Sequence, residues 1–199
     1  MRRRCTFRCT LSAAAMILLL APIVPSLAAE LPTGFRSLRW GASIDEAEEM
    51  FPSATCFSSR GEGKGTDTGD GNCHFKTMIG KADVTVLLNF FEKPTTPHSA
   101  RGFQSYAISY KSKDFPEIAE ALSTRYGNPT TTNQEPFQTR SGLRDTNTIL
   151  RWVLESCSIY AIKFSGSILE GGAVVSTKAG DAESERRRKA QKGESGKDL

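Results

Sequence analysis

Apolar residues recur along this chain with two periods, and the switching between them predicts most of its elements. Ser43-Ile44-Asp45-Glu46 places a glutamate three residues after a serine, the pattern of a capping box. Ile44, Ala47, Met50 and Phe51 then fall at helical spacing until Pro52 stops the run, which predicts a helix of about two turns. A strand is expected over Cys73–Ile79, with Gly80-Lys81 as a two-residue turn. In the strand that follows, Val84, Val86, Leu88 and Phe90 alternate, while Leu87 and Phe91 lie on the other side, so that end should be covered on both faces. The strand Phe103–Lys111 sets Tyr106, Ile108 and Tyr110 on one face.

Asp114 with Glu117 three residues later opens a second helix, and Phe115, Ile118, Leu122 and Tyr126 form its apolar stripe. Gly127 supplies a left-handed cap and Pro129 blocks continuation. Leu150, Trp152 and Leu154 alternate along a further strand, and Tyr160, Ile162 and Phe164 along its hairpin partner, with a tight connection near Ser156-Cys157. A last strand is expected over Gly172–Thr177, after a turn near Ser165-Gly166-Ser167. The glycine-rich stretch Ser58–Gly71 has no large apolar residue and reads as an exposed loop. The sum is an α+β fold: a mostly antiparallel sheet with two short helices packed on one face, in a loose tandem repeat of helix plus strands.

Both ends depart from this pattern. Arg2, Arg3, Arg4 and Arg8 precede an apolar run from Leu11 to Val24, and Pro25-Ser26-Leu27-Ala28-Ala29 offers a small-residue cut site at Ala28 and Ala29. Residues 1–29 therefore read as a signal peptide, too short in its apolar core to span a membrane, and the expected location is periplasmic or secreted. No cysteine stands at the cut site, so a free protein is expected rather than a lipid-anchored one, with no transmembrane segment in the mature chain. Residues 30–177 form the single domain. Residues 178–199 have no apolar face and read as a disordered charged tail.

Charge changes meaning once these parts are separated. The whole chain carries +4, but four positive charges belong to the leader. The body holds 15 basic and 17 acidic residues without a basic cluster, which argues against a nucleic-acid partner. The run Arg186-Arg187-Arg188-Lys189 is diluted by Glu183, Glu185 and Glu194 and reads as solubilising.

Three cysteines remain in the mature chain: Cys56, Cys73 and Cys157. In an oxidising compartment a bridge is expected, and Cys56 with Cys73 is the natural pair because they flank the polar loop. The other two pairings stay open on sequence alone.

Nucleophile, phosphate-loop and zinc-protease motifs are missing: there is no G-x-S-x-G, S-x-x-K, G-x-x-x-x-G-K or H-E-x-x-H. Cys56, Cys73 and His74 could together ligate a metal, but a disulfide beside a surface histidine is the simpler reading. Asp67, Asp70 and Asn72 miss the calcium-loop order, because Gly69 and Gly71 fall at ligand positions. Glu46, Glu48 and Glu49 fit a solvated helix face, and Arg151 beside Trp152, which could form a binding site if that outer face is exposed, more simply fits the solvent side of a strand. No catalytic residue, metal or cofactor is assigned.

The segment Phe35-x-x-Leu38-x-Trp40-Gly41, the capped helix after it and the later Tyr126-Gly127-Asn128-Pro129 carry a resemblance. Over residues 33–177 the chain resembles small exported bacterial proteins of unknown function that open with F-x-x-L/I-x-W-G and close the second helix with Y-G-x-P. Its plan is also similar to β-lactamase-inhibitor-protein-like folds and to small outer-membrane-assembly lipoproteins, from which it departs by lacking a lipid-anchoring cysteine. The resemblance implies no catalytic residues, and structural roles for Trp40, Gly41, Gly127 and Pro129. The expected function is a non-enzymatic binding or envelope-associated module acting through a sheet face or loop, with an envelope protein or cell-wall component as partner. The alternatives are a metal-binding protein or enzyme using the Cys56–His74 loop, and a self-associating protein linked through Cys157.

Overall fold

A computed structural model describes residues 32–58, 70–92, 96, 100–139 and 142–195. The leader with Ala28 and Ala29 lies outside the described residues, as do Asp67, Pro94, Pro97 and His98. A small hairpin of β1 (Gly34–Phe35) and β2 (Leu38–Arg39) leads into α1 (Ile44–Met50). Four strands follow: β3 (Thr55–Ser58), β4 (Asp70–Ile79), β5 (Ala82–Phe91) and β6 (Gly102–Lys111). A 3-10 turn over Ser112–Asp114 then opens α2 (Phe115–Tyr126). Four more strands succeed it: β7 (Thr131–Gln138), β8 (Arg144–Val153), β9 (Cys157–Ile162) and β10 (Glu170–Thr177). The chain ends in α3 (Lys178–Ser195).

The eight strands β3 to β10 make one antiparallel sheet in the order β3-β4-β5-β6-β10-β9-β8-β7. Each helix α1 and α2 is thus followed by a four-stranded meander, and the two meanders join along their last strands, β6 and β10. Alternation decides which side chains meet beneath the helices. Val84, Val86, Leu88 and Phe90 of β5 are buried, as are Tyr106, Ile108 and Tyr110 of β6, in one cluster with Ile44 and Ala47 of α1 and Ile118 and Leu122 of α2. Phe35, Phe51 and Phe75 add mutually packed rings to it.

Local signals act as the sequence requires at several points. Ser43 and Glu46 close both arms of the capping box, with the Ser43 amide donating to Glu46 at 2.7 Å and the Glu46 amide to Ser43 Oγ at 3.2 Å. Gly80 takes φ 57° in the β4–β5 turn. Asp114 differs: its side chain makes no cap bond, because it lies within the 3-10 turn. Glu117 reaches out of α2 instead, and its carboxylate accepts from the Lys81 amide, tying the helix to that turn.

Two strands carry no alternation to find. β7 is polar and almost wholly exposed, an edge strand in which Pro136 needs no partner on its open side. β3 is a four-residue edge, held by its neighbour β4. In β9 the alternation is present but turned over. Ile159 and Ala161 face the core, while Tyr160 and Ile162 are half-buried on the opposite face. A bulge in β6 opposite Asn89 and Phe90 explains why both Phe103 and Gln104 are buried.

The largest departure is α3, which is helical where the charged sequence was expected to be disordered. It indeed lacks an apolar face, but ions and hydrogen bonds hold it across one end of the sheet face opposite the buried core. Thr177 Oγ1 accepts from the Gly180 amide at 2.9 Å, and Asp181 accepts from Ser158 Oγ at 2.8 Å. Glu183 is 0% exposed and accepts from Arg186 at 2.6 Å and from Arg187 at 2.9 Å. Arg187 also pairs with Asp70 at the start of β4 and lies over the Phe91 ring at 4.7 Å. Phe91 is thereby covered on its second face, whereas Leu87, expected to be covered with it, stays 36% exposed. Glu183→Ala should remove the charge-assisted bonds to Arg186 and Arg187, while Arg187 keeps Asp70, at a cost of about 2 kcal/mol. Hydrogen exchange should then quicken over 178–190 while β4–β6 stay protected.

Candidate functional site

The two cysteines of the expected bridge are directly opposite in the β3–β4 ladder, and they form a disulfide. The bond ties the short edge strand β3 to the sheet across the segment 59–69, which lies outside the described residues. Cys73 is fully buried. His74, next in sequence, points to the other face and stacks on the Phe57 ring at 5.8 Å. A thiolate set for a metal therefore does not exist here, and among the described residues no group of three His, Cys, Asp or Glu could hold an ion. Cys157 is free and wholly buried, its thiol pushed upward by burial, so it is out of reach of a second chain.

The residues of the opening and closing segments sit around the core. Trp40 packs on Phe103 at 4.7 Å and donates its indole N–H to the Pro32 carbonyl at 2.8 Å. Gly41 has φ 87° and donates to the Phe103 carbonyl at 2.8 Å, while the Phe103 amide donates to Ala42 at 2.8 Å. Gly102 must come so close to the Gly41 and Ala42 carbonyls that a Cβ there would strike them. Gly127 donates to Ser123 at 2.9 Å, and its carbonyl accepts from the Trp152 indole at 2.8 Å. Pro129 follows as the chain turns into β7. Arg151, beside the buried Trp152, is exposed and lies over the Tyr160 ring at 5.4 Å.

Strand register assembles the remaining feature. On the face opposite the buried core, Thr55, His74, Leu87, Ala107, Val174, Tyr160, Arg151 and Thr131 are successive cross-strand partners spanning all eight strands. Four central members are apolar or aromatic, with Leu87 at 36% and Val174 at 41% exposure. Towards α3 the neighbouring row is polar: Asn89 donates to Ser105 at 3.1 Å, and Ser158 and Ser176 share a hydrogen bond at 3.1 Å. Only α3 covers this face among the described residues, and only at that end. At the other end a shallow hollow is bordered by Lys76, Thr85, Ser109 and Glu170.

Asp70, where α3 meets β4, shows how this cover is balanced. Desolvation raises its pKa, and the Arg187 guanidinium opposes the rise without reversing it. The carboxylate is thus half-buried at some electrostatic cost.

Sequence periodicity located Tyr160 without assigning the face it takes. It supplied no signal for Leu87, Val174 and Arg151 as parts of one row, because that row exists only through register between strands up to 119 positions apart (Thr55 to Val174). No helix among the described residues is long and apolar enough to cross a membrane. Comparisons with family models, with curated proteins and with solved structures found no match to this chain.

Replacing Cys56 and Cys73 together by serine should lower unfolding stability by about 3 kcal/mol, the chain-entropy value for a loop of this size. Thiol titration of the oxidised chain without residues 1–29 should count no reactive thiol when folded and one when unfolded, rising to three after reduction.

Proposed function

We propose that the mature chain is an exported, non-enzymatic binding module that engages a protein partner of the cell envelope through the open sheet face. The observation that carries this reading is the continuous row from His74 through Leu87, Ala107, Val174 and Tyr160 to Arg151. A sheet of eight strands is about 34 Å across at a spacing of about 4.8 Å. That breadth suits an interface of standard size, which buries about 800 Å² on each side. Protein interfaces favour an apolar and aromatic centre anchored by tyrosine and arginine, and Tyr160 with Arg151 stacked over it is such an anchor. The partner chemistry this favours is an apolar surface with a carboxylate to meet Arg151.

Export is supported by the leader pattern of residues 1–29, and the Cys56–Cys73 bridge suits an oxidising compartment. The metal-site alternative loses its ligands to that bridge, and the Cys157-linked alternative loses its thiol to burial. We read the two helix-plus-meander halves as a duplicated unit with both helices on one face, consistent with the opening and closing motifs of the resemblance. In that arrangement the duplication has the effect of doubling the width of a single open face.

Fractionation of the exporting cell should place the processed chain outside the cytoplasm. A photo-crosslinking residue at Val174 should yield one discrete adduct with an envelope protein, absent when the same residue stands at the exposed Glu120 of α2. Tyr160→Ala should abolish that adduct and weaken the isolated complex by about 2 kcal/mol, as hot-spot tyrosines do. Equal adducts from both faces, or none from Val174, would reject the assignment.

A further inference from the structure

The helix-bearing side of the molecule holds a second feature, independent of the open face. A cleft of about 240 Å³ lies between the β1–β2 hairpin and α2, lined by Phe35, Tyr106, Ile108, Ile118, Leu122 and Tyr126. Its walls are apolar except for the two phenol groups. Tyr106 and Tyr126 are each 3% exposed, and their hydroxyls are 3.4 Å apart. Among the described residues neither hydroxyl has another hydrogen-bond partner. Two O–H donors therefore share one contact, which uses one proton and leaves the second without a protein acceptor. Buried donors are nearly always satisfied, so a spare one inside a cleft points to an occupant. Burial holds the Tyr106 phenol well above its ordinary pKa, so it remains a donor.

Two arginines stand at the mouth of the same cleft. Arg36 donates to Thr77 Oγ1 at 2.6 Å and lies over the Phe35 ring at 5.6 Å. Arg125 lies over the Tyr126 ring at 5.4 Å. Neither forms a salt bridge with a carboxylate among the described residues, and each guanidinium keeps donors to spare. Arg36 also has φ 53°, a left-handed backbone that non-glycine residues seldom adopt. Two positive charges, one free phenol proton and apolar walls are complementary to one chemistry.

We propose that this cleft binds a small apolar monocarboxylate. Its carboxylate accepts a hydrogen bond from the spare tyrosine hydroxyl and faces Arg36 and Arg125, and its hydrocarbon body packs on Met78, Ile79 and Ala121, the lining residues that keep exposed surface. The volume falls below the roughly 300 Å³ where drug-sized sites begin, so the occupant is a short acyl or single-ring acid.

Octanoate is the probe, titrated into the chain without residues 1–29 and followed by amide NMR. Saturable shifts should centre on Arg36, Tyr106 and Arg125, with a Kd below about 1 mM, and should spare Val174 on the other face. Octanamide, of equal length but uncharged, should bind about tenfold or more weakly. Arg125→Gln should weaken octanoate about tenfold, and so should Arg36→Asn, chosen because asparagine tolerates the left-handed backbone. Both variants should keep the dispersed spectrum of the folded chain. Three results would overturn the proposal: no saturable shift up to about 10 mM octanoate, equal binding of octanamide, or undiminished binding by both variants.

Discussion

Everything else in this fold depends on the pairing of β6 with β10. Seven residues of each strand are in register, from Lys111 with Glu170 to Ser105 with Ser176, and they join two meanders that would otherwise be separate sheets. Side chains lock the register as well as the ladder. Tyr110 of β6 packs where Gly171, its partner on β10, has no side chain, and a Cβ at Gly171 would strike its ring. The Tyr110 hydroxyl then reaches the carbonyls of Gly172 at 2.9 Å and Ile162 at 3.0 Å. Sliding β10 by one residue would lose that fit and turn every side chain of the strand to the wrong face.

Because the joint is antiparallel and continuous, the molecule has two faces of opposite character. One carries the buried core with the aromatic cluster around Phe35, Phe75 and Tyr106. On the other, among the described residues, the cover is α3, and that cover is ionic rather than apolar. Glu183, wholly buried beneath Arg186 and Arg187, replaces the hydrophobic stripe that a docked helix usually presents. A buried carboxylate with charge-assisted bonds can order a segment that composition alone would leave unstructured. The two proposed sites follow this division: a broad protein-binding surface on the open face, and a small cleft among the helices on the closed one.

Legibility followed the range of each interaction. The capping box at Ser43 and Glu46, the Gly80-Lys81 turn, the stripe of α2 and the alternation of β5 and β6 are relations among residues a few positions apart, and they stand in the structure as the sequence implies. β3 and β7 lacked a signal because edge strands bury little and need no alternation. β9 was found by its alternation, but the face it buries, that of Ile159 and Ala161, is the one between the residues the alternation picked out. Asp114 looked like a cap, but the 3-10 turn before α2 moved it out of position.

Of the candidate sites the sequence contributed parts and no assembly. It nominated the Cys56–Cys73 bridge, because compartment and loop chemistry are properties of composition. It could not bring Asp70 to Arg187 across 117 positions, line up Leu87, Val174 and Tyr160, or set Arg36 and Arg125 beside one cleft with Tyr106 and Tyr126. By itself the sequence determined α1, α2 and the central strands β4, β5 and β6, since propensity, periodicity and capping are local, but not α3 or the edge strands β3 and β7. Only the tertiary structure decided which face stayed open and which charges met, because both depend on register between strands distant along the chain.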